Sequence, residues 1–393
     1  MDFSNHTLVT EFVFLGFSNI THGRVYLILL FLTIYLVTIL GNFMIITLIL
    51  VDSHLHSPMY FFLSHLSCLD VCYSTVTVPK ILANLLRQRH TISYNLCFAQ
   101  MFFLMAFSGS ECWLLAIMAY DRYAAICQPL RYSHLMSPRV CMQASVIIWI
   151  WGFLDSAVHT ALASNFHFCG HNQIYHIFCD LPPLLKIACG DKFVSEITIQ
   201  VATVFVGLGP FLFVVISYFY ILATILRIRS NTGRHKAFST CISHVMVVLL
   251  YFGNGSVNYY QPSAGYSLET DTLISTMYCI VTPMVNPLIY SLRNKEVKGA
   301  LRKVLGLQDK EKQNIGSRTG IFLGPTHQGT LSPKPIIYHG SCRQPSNLLL
   351  LLLAEPAFVS LHPTVEEDGE NMTLLQSQLV FSSWDNQQRY SHT

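Results

Sequence analysis

The chain has 393 residues, of which 52% are hydrophobic and 11% charged, with a formal net charge of +3 and a mean hydropathy of +0.44. Soluble domains carry about 25% charged residues, so the main solvent of this chain is a bilayer rather than water. The small net charge, with no basic block interleaved with aromatics, argues against a nucleic-acid partner.

Residues 1–24, MDFSNHTLVTEFVFLGFSNITHGR, have no basic segment leading into an apolar run and a small-residue cleavage site. No removable signal is expected. Two glycosylation acceptor tripeptides lie here, Asn5-His6-Thr7 and Asn19-Ile20-Thr21. Asn5 stands far enough from the first span to be used if this end is outside, whereas Asn19 is too close.

A helix needs about 20 apolar residues to cross the hydrocarbon core. Seven candidates follow in order, at 25–50, 58–82, 97–126, 140–161, 197–226, 237–260 and 272–292. The expected fold class is an all-α membrane protein, a seven-transmembrane helix bundle. An odd number of spans puts the termini on opposite sides. With the amino terminus outside, the inner segments hold Arg122, Arg131, Arg139, Arg227, Arg229, Arg234 and Lys236. They also hold Arg293, Lys295, Lys298, Arg302 and Lys303 after the last span. That is twice the basic content of the outer segments, although Lys80, Arg87 and Arg89 run against the trend. In residues 293–307 the positions Val297, Ala300, Leu301 and Val304 share a helical face, which predicts a short amphipathic helix along the inner membrane surface.

Ionisable groups inside a membrane are costly and mark function by default. Asp70 lies about 18 Å into span two and Glu111 about 15 Å from the inner end of span three, at 1.5 Å per residue. Asn42 and Asn286 fall in the same layer. Two carboxylates in low dielectric share a proton or hold a cation between them, Na⁺ being the obvious one. The simpler alternative is inter-helix hydrogen bonding with one acid protonated. Asp121 and Arg122, where span three meets the cytoplasm, read either as a switch or as snorkelling charges.

Six motifs occur in order: GN (41–42), LHSPMYFFLSHLSCLDVCY (55–73), MAYDRYAAICQPLRY (118–132), SY (217–218), KAFSTCISH (236–244) and PMVNPLIYSLRNKEV (283–297). In these the chain resembles the olfactory receptors, within the rhodopsin-like G-protein-coupled class, over residues 5–307. The resemblance implies an odorant receptor in the plasma membrane that activates a stimulatory, olfactory-type heterotrimeric G protein and raises cyclic AMP. It implies that Asp121 restrains Arg122 in the inactive state, with Tyr123 completing the motif, and that Arg122 is then freed to face the G protein. It makes Asp70 and Glu111 the sodium layer, and Asn286, Pro287 and Tyr290 the segment of span seven that rearranges. Tyr218 becomes the active-state partner of Tyr290 and Arg122, and Lys236 to His244 the inner end of span six. Cys97 should pair with Cys179, and Cys169 with Cys189; an outer location permits both bonds. The other cysteines, within or near spans, read as free buried thiols. His171, His176, Cys179 and Asp180 form a candidate copper stretch, but a disulfide-bonded Cys179 is no ligand.

The ligand implied enters from outside, between spans three, five, six and seven. Helical spacing offers Met101, Leu104, Met105, Ser108, Gly109 and Cys112 from span three, and Ala202 and Val206 from span five. Phe252, Ser256 and Tyr259 in span six and Thr276 and Cys279 in span seven complete the set. The outer half of span three has no acid or base, so a small, neutral, mostly apolar ligand is expected, with few orienting hydroxyls. Tyr251-Phe252-Gly253 inverts the family's usual Phe-Tyr order, which turns the hydroxyl about 100° round the helix and puts its role at the pocket floor in question. Residues 308–393, rich in Gly, Pro, Ser and Gln, exceed the family pattern and read as a disordered cytoplasmic tail. A channel or transporter would want internal repeats or paired broken helices, and an intramembrane enzyme a nucleophile–base or metal motif; neither pattern is present.

Overall fold

The computed structural model describes residues 9–16, 23–87, 89–169, 172–190, 192–259 and 276–304. Asn5, Asn19, His171 and the 308–393 tail lie outside them. Six helices among the described residues are long and apolar enough to cross a membrane. They are α1 (Arg24–Val51), α2 (Pro58–Arg87), α3 (Tyr94–Cys127), α4 (Pro138–Ser164), α5 (Phe193–Arg227) and α6 (Asn231–Tyr259). The seventh expected span begins outside the described residues. Its described part is a π-helical turn, Met277–Val281, leading into α7 (Thr282–Arg293). The amphipathic helix expected after it is α8 (Lys295–Val304), with Val297 and Ala300 buried.

The chain forms helices here because a bilayer offers the backbone no other partners, which also tolerates Pro79 inside α2 and Pro287 inside α7. Burial follows the inverted rule of a membrane bundle. Leu29, Leu40, Ile147 and Phe219 are exposed on outer faces, whereas Asn42, Ser64, Asp70 and Ser110 are enclosed. The central helix is α3, packed against α2, α4, α5 and α6. Its seam with α4 is closed by small residues: Gly152 faces Ser110 and the Ala106 carbonyl, and Ser156 Oγ donates to Phe102 O at 2.6 Å. Small side chains let two helix backbones approach in this way.

The outer end carries a feature that hydropathy did not announce. A three-stranded sheet sets β1 (Glu11–Phe14) between β2 (Thr91–Ser93) and β3 (Gln173–Ile174). The pairing β1–β2 is antiparallel, with Phe12 opposite Ile92, and β1–β3 is parallel, with Val13 opposite Gln173. Phe12, Phe14, Ile92 and Ile174 point into an outer apolar cluster with Phe98, Met101 and Phe168. The amino-terminal segment is thereby stitched to two outer loops.

Candidate functional site

An outer cavity of about 180 Å³ lies between α3, α4, α5 and α6. Met105, Ser108, Gly109 and Cys112 of α3 line it, with Ala202 and Val206 of α5 and Phe252 and Ser256 of α6. All eight were expected from helical spacing. Met101 and Leu104 are elsewhere: Met101 is buried in the outer cluster and Leu104 in the main core. Cys279 is also displaced from the wall, because its sulfur packs 3.2 Å from the Tyr73 hydroxyl of α2. Thr276 does not line the cavity, and the Tyr259 side chain lies outside the described residues. Among the described residues, α4 contributes to the cavity wall as well.

The cavity also has lining residues that pattern reading missed. Asp155 and His159 of α4 form one wall, Leu181 and Pro182 of an outer loop helix (Leu181–Ile187) another, and Thr203 and Phe211 of α5 a third. The segment Thr203–Leu208 is π-helical, a form found mostly as single turns at functional positions. Tyr251 answers the question raised by its inverted order. Its hydroxyl donates to Ser108 O at 2.8 Å and lies 3.0 Å from Ser108 Oγ, so it stands at the cavity floor while Phe252 supplies apolar wall.

The outer lid is held by both expected disulfides, Cys97–Cys179 and Cys169–Cys189, with Cα separations of 5.4 and 6.2 Å. Gln100 Oε1 accepts from Cys179 N at 2.9 Å, and the Asp180 carboxylate caps the loop helix at Leu181 N. These bonds seat Leu181 and Pro182 over the cavity. Cys179 is consumed by its disulfide, and His176 Nδ1 faces the Phe178 carbonyl at 3.1 Å. Burial pushes the His176 imidazole down to about 4. Among the described residues no cluster of three or more metal-ligating side chains occurs.

At mid-depth, Asn286 Nδ2 donates to both carboxylate oxygens of Asp70, at 3.0 and 3.3 Å. Asn42 Nδ2 donates to Thr38 O and Pro283 O, so α1, α2 and α7 meet in one polar layer. Glu111 Oε1, Asn42 Oδ1 and Asn286 Oδ1 are buried there without a hydrogen-bond partner. Orphaned buried oxygens with two carboxylates are the donor set a hard cation prefers, so the residues fit Na⁺.

The inner end differs from the expected lock. Asp121 and Arg122 are both buried, yet among the described residues no ion pair joins them. Asp121 Oδ1 instead accepts from the Tyr132 hydroxyl at 2.8 Å, and the Arg122 guanidinium is turned toward the Met59 sulfur of α2. Tyr132 sits in the short helix Tyr132–Leu135 that follows α3, close enough in sequence to fold back over its end. Tyr123 is held on the α3 surface, accepting from Gln128 Nε2 at 3.0 Å. Tyr218 does not reach Tyr290 or Arg122 here. Its hydroxyl donates to His244 Nδ1 at 2.8 Å, and His244 Nε2 faces Leu115 O at 3.2 Å, tying α5, α6 and α3 together. Tyr290 is buried beside this space with its hydroxyl unpartnered, and Pro287 packs on Gly41 of α1. An inner cavity of about 640 Å³ opens below, lined by Arg122, Tyr132, His235, Ser239, Tyr290 and Glu296 among others. The Lys236 side chain lies outside the described residues.

A family profile described as olfactory receptor matches residues 31–308. The chain belongs to the olfactory receptor family. Human olfactory receptor 10C1 is 49% identical over 302 residues, covering 77% of this chain and 97% of that protein. Human olfactory receptor 12D1 is 44% identical over 302 residues, 77% of this chain and 94% of its own length. Mouse olfactory receptor 5AP2 is 48% identical over 301 residues, again 77% of this chain and 95% of its own. This olfactory receptor is therefore a multi-pass membrane protein, a receptor rather than an enzyme, and one that responds to odorants through G-protein coupling. The two cavities take their places accordingly. The first is walled mostly by apolar side chains, with Leu181 and Pro182 of the disulfide-anchored loop among them; the second is lined by the arginine of α3 at the other end of the bundle.

Proposed function

We propose that this olfactory receptor binds small, neutral, mostly apolar odorants in the outer cavity and activates a stimulatory, olfactory-type G protein, raising cyclic AMP. The observation that carries the reading is the cavity itself, about 180 Å³ with a largely apolar wall between α3, α4, α5 and α6, to which the disulfide-anchored loop adds Leu181 and Pro182. Adaptable Met105 and flat Phe252 suit an apolar guest, and the Tyr251–Ser108 floor orients it. Ligand-driven movement of α6 passes downward through Tyr251 to the His244–Tyr218 link and opens the inner cavity around Arg122. The receptor resides in the plasma membrane with its amino terminus outside and Asn5 glycosylated. Residues 25–292 form the bundle, 293–307 bind the inner leaflet through the basic face of α8, and 308–393 form a cytoplasmic tail. Asp70 and Glu111 would hold a sodium ion, whose charge lets two buried carboxylates stay ionised together. Cyclic AMP recorded in cells against a panel of volatiles tests the reading. Arg122→Ala is expected to abolish the response while the protein still reaches the surface; an unchanged response would refute the coupling mechanism.

A further inference from the structure

The hydrogens of the outer cavity are already committed. Thr203 Oγ1 donates to Ile199 O at 2.8 Å and Ser256 Oγ to Phe252 O at 2.6 Å, both back to their own helix. The Tyr251 hydroxyl donates to Ser108 O at 2.8 Å, so at the 3.0 Å contact between the two hydroxyls Ser108 Oγ is the donor. A hydroxyl has one hydrogen and two lone pairs. Thr203 and Ser256 therefore present acceptors to a guest, whereas the Tyr251 hydroxyl, which also takes the Cys112 thiol at 3.6 Å, is occupied within the floor.

The α4 wall has the same polarity. Asp155 Oδ1 lies 3.7 Å from His159 Nε2, with the imidazole 3% and the carboxylate 20% exposed. The distance is too long for a direct hydrogen bond, so the imidazole does not saturate the carboxylate. The carboxylate, the more open of the two, has only lone pairs to offer.

We propose that this cavity selects odorants bearing a hydroxyl donor, aliphatic or aromatic alcohols, with Asp155 as the specificity-determining acceptor. The proposal rests on the odorant-cavity reading above and names its head group. An alcohol O–H completes the carboxylate's hydrogen bonding. The carbonyl oxygen of an aldehyde or the ether oxygen of a methyl ether meets other lone pairs and leaves the half-buried carboxylate desolvated and unpaired, a penalty worth roughly tenfold in affinity.

The test uses matched chains, hexanol to decanol with the corresponding aldehydes and methyl ethers. Two readouts are taken on the full-length receptor: cyclic AMP in cells, and ligand-induced thermal stabilisation of purified protein, which needs no G protein. Alcohols are expected to act at concentrations about tenfold below their partners in both. Asp155→Asn, which places an amide N–H on the wall, should raise the aldehyde response relative to the alcohol. Aldehydes and ethers equal to alcohols on the wild type overturn the donor rule alone. Failure of every volatile, of any head group, to stabilise the protein overturns the cavity reading and the proposal with it. The wild-type comparison stands by itself if Asp155→Asn fails to reach the surface.

Discussion

The Tyr132 hydroxyl donates to the Asp121 carboxylate at 2.8 Å. It links the segment that follows α3 to the end of that helix, at the acid expected to hold Arg122. A hydrogen bond to a buried charged group contributes about 1.5–3 kcal/mol. Tyr132→Phe should lower the thermal stability of the purified receptor by that order. In a double-mutant cycle with Asp121→Asn the two losses should be less than additive; strict additivity would mean that the bond does not form in the membrane.

Glu111 is the half of the mid-depth layer with an unclaimed oxygen, whereas Asp70 is already bridged to Asn286. If the pair holds sodium, replacing NaCl with a bulky organic cation should raise the potency of the wild type's agonist. Glu111→Gln should abolish that dependence while leaving agonist response measurable. Retained sodium sensitivity in the variant would remove Glu111 from the site.

The α3–α4 seam leaves no room for a methyl group at Gly152. A Cβ there would overlap Ser110 Oγ and stand 2.5 Å from the Ala106 carbonyl oxygen. Overpacking at a buried contact costs about 1–3 kcal/mol, so Gly152→Ala should reduce surface expression, measured by antibody staining of intact cells. It should also change odorant potency, because Gly109, where an added Cβ would come within 3.7 Å of the Gly152 Cα, lines the cavity.

His176 lies outside the bilayer and its ordinary value of 6.5 is lowered to about 4 by burial. The neutral imidazole is the folded form, so its contribution is fully present above pH 6.5. As pH falls from there toward 4 it is lost, at up to about 1.4 kcal/mol per pH unit. The melting temperature should drop between pH 7 and 5, and His176→Gln should flatten that part of the profile. An unchanged profile would show that the outer loop admits protons freely.

Membrane class, span number and the polar mid-layer were legible in the residues because bilayer thickness and helical rise constrain both length and depth. The lower cavity wall was legible for a similar reason: Met105, Ser108, Gly109 and Cys112 share one face of α3, and periodicity along a single helix is a local property. The position of α4 is not local. Asp155 and His159 are spaced i,i+4 in an apolar run, and as membrane-embedded ionisable groups they carried a signal, but nothing in their spacing says which neighbour they face. The close α3–α4 approach at Gly152 decides that. Leu181 and Pro182 could have been found from the sequence, since they follow Cys179 directly and its disulfide to Cys97 draws them over the bundle.

Sequence alone determined the receptor family and the helices, and it picked out Asp70 and Glu111 as enclosed acids, because hydropathy, spacing and motif act along the chain. Only the tertiary structure decided that β1 joins two outer loops, that Asp121 accepts the Tyr132 hydroxyl, and that Asp155 stands in the cavity wall. Each of these depends on which groups from distant segments come within reach, and direction at a few ångströms is set by packing between helices.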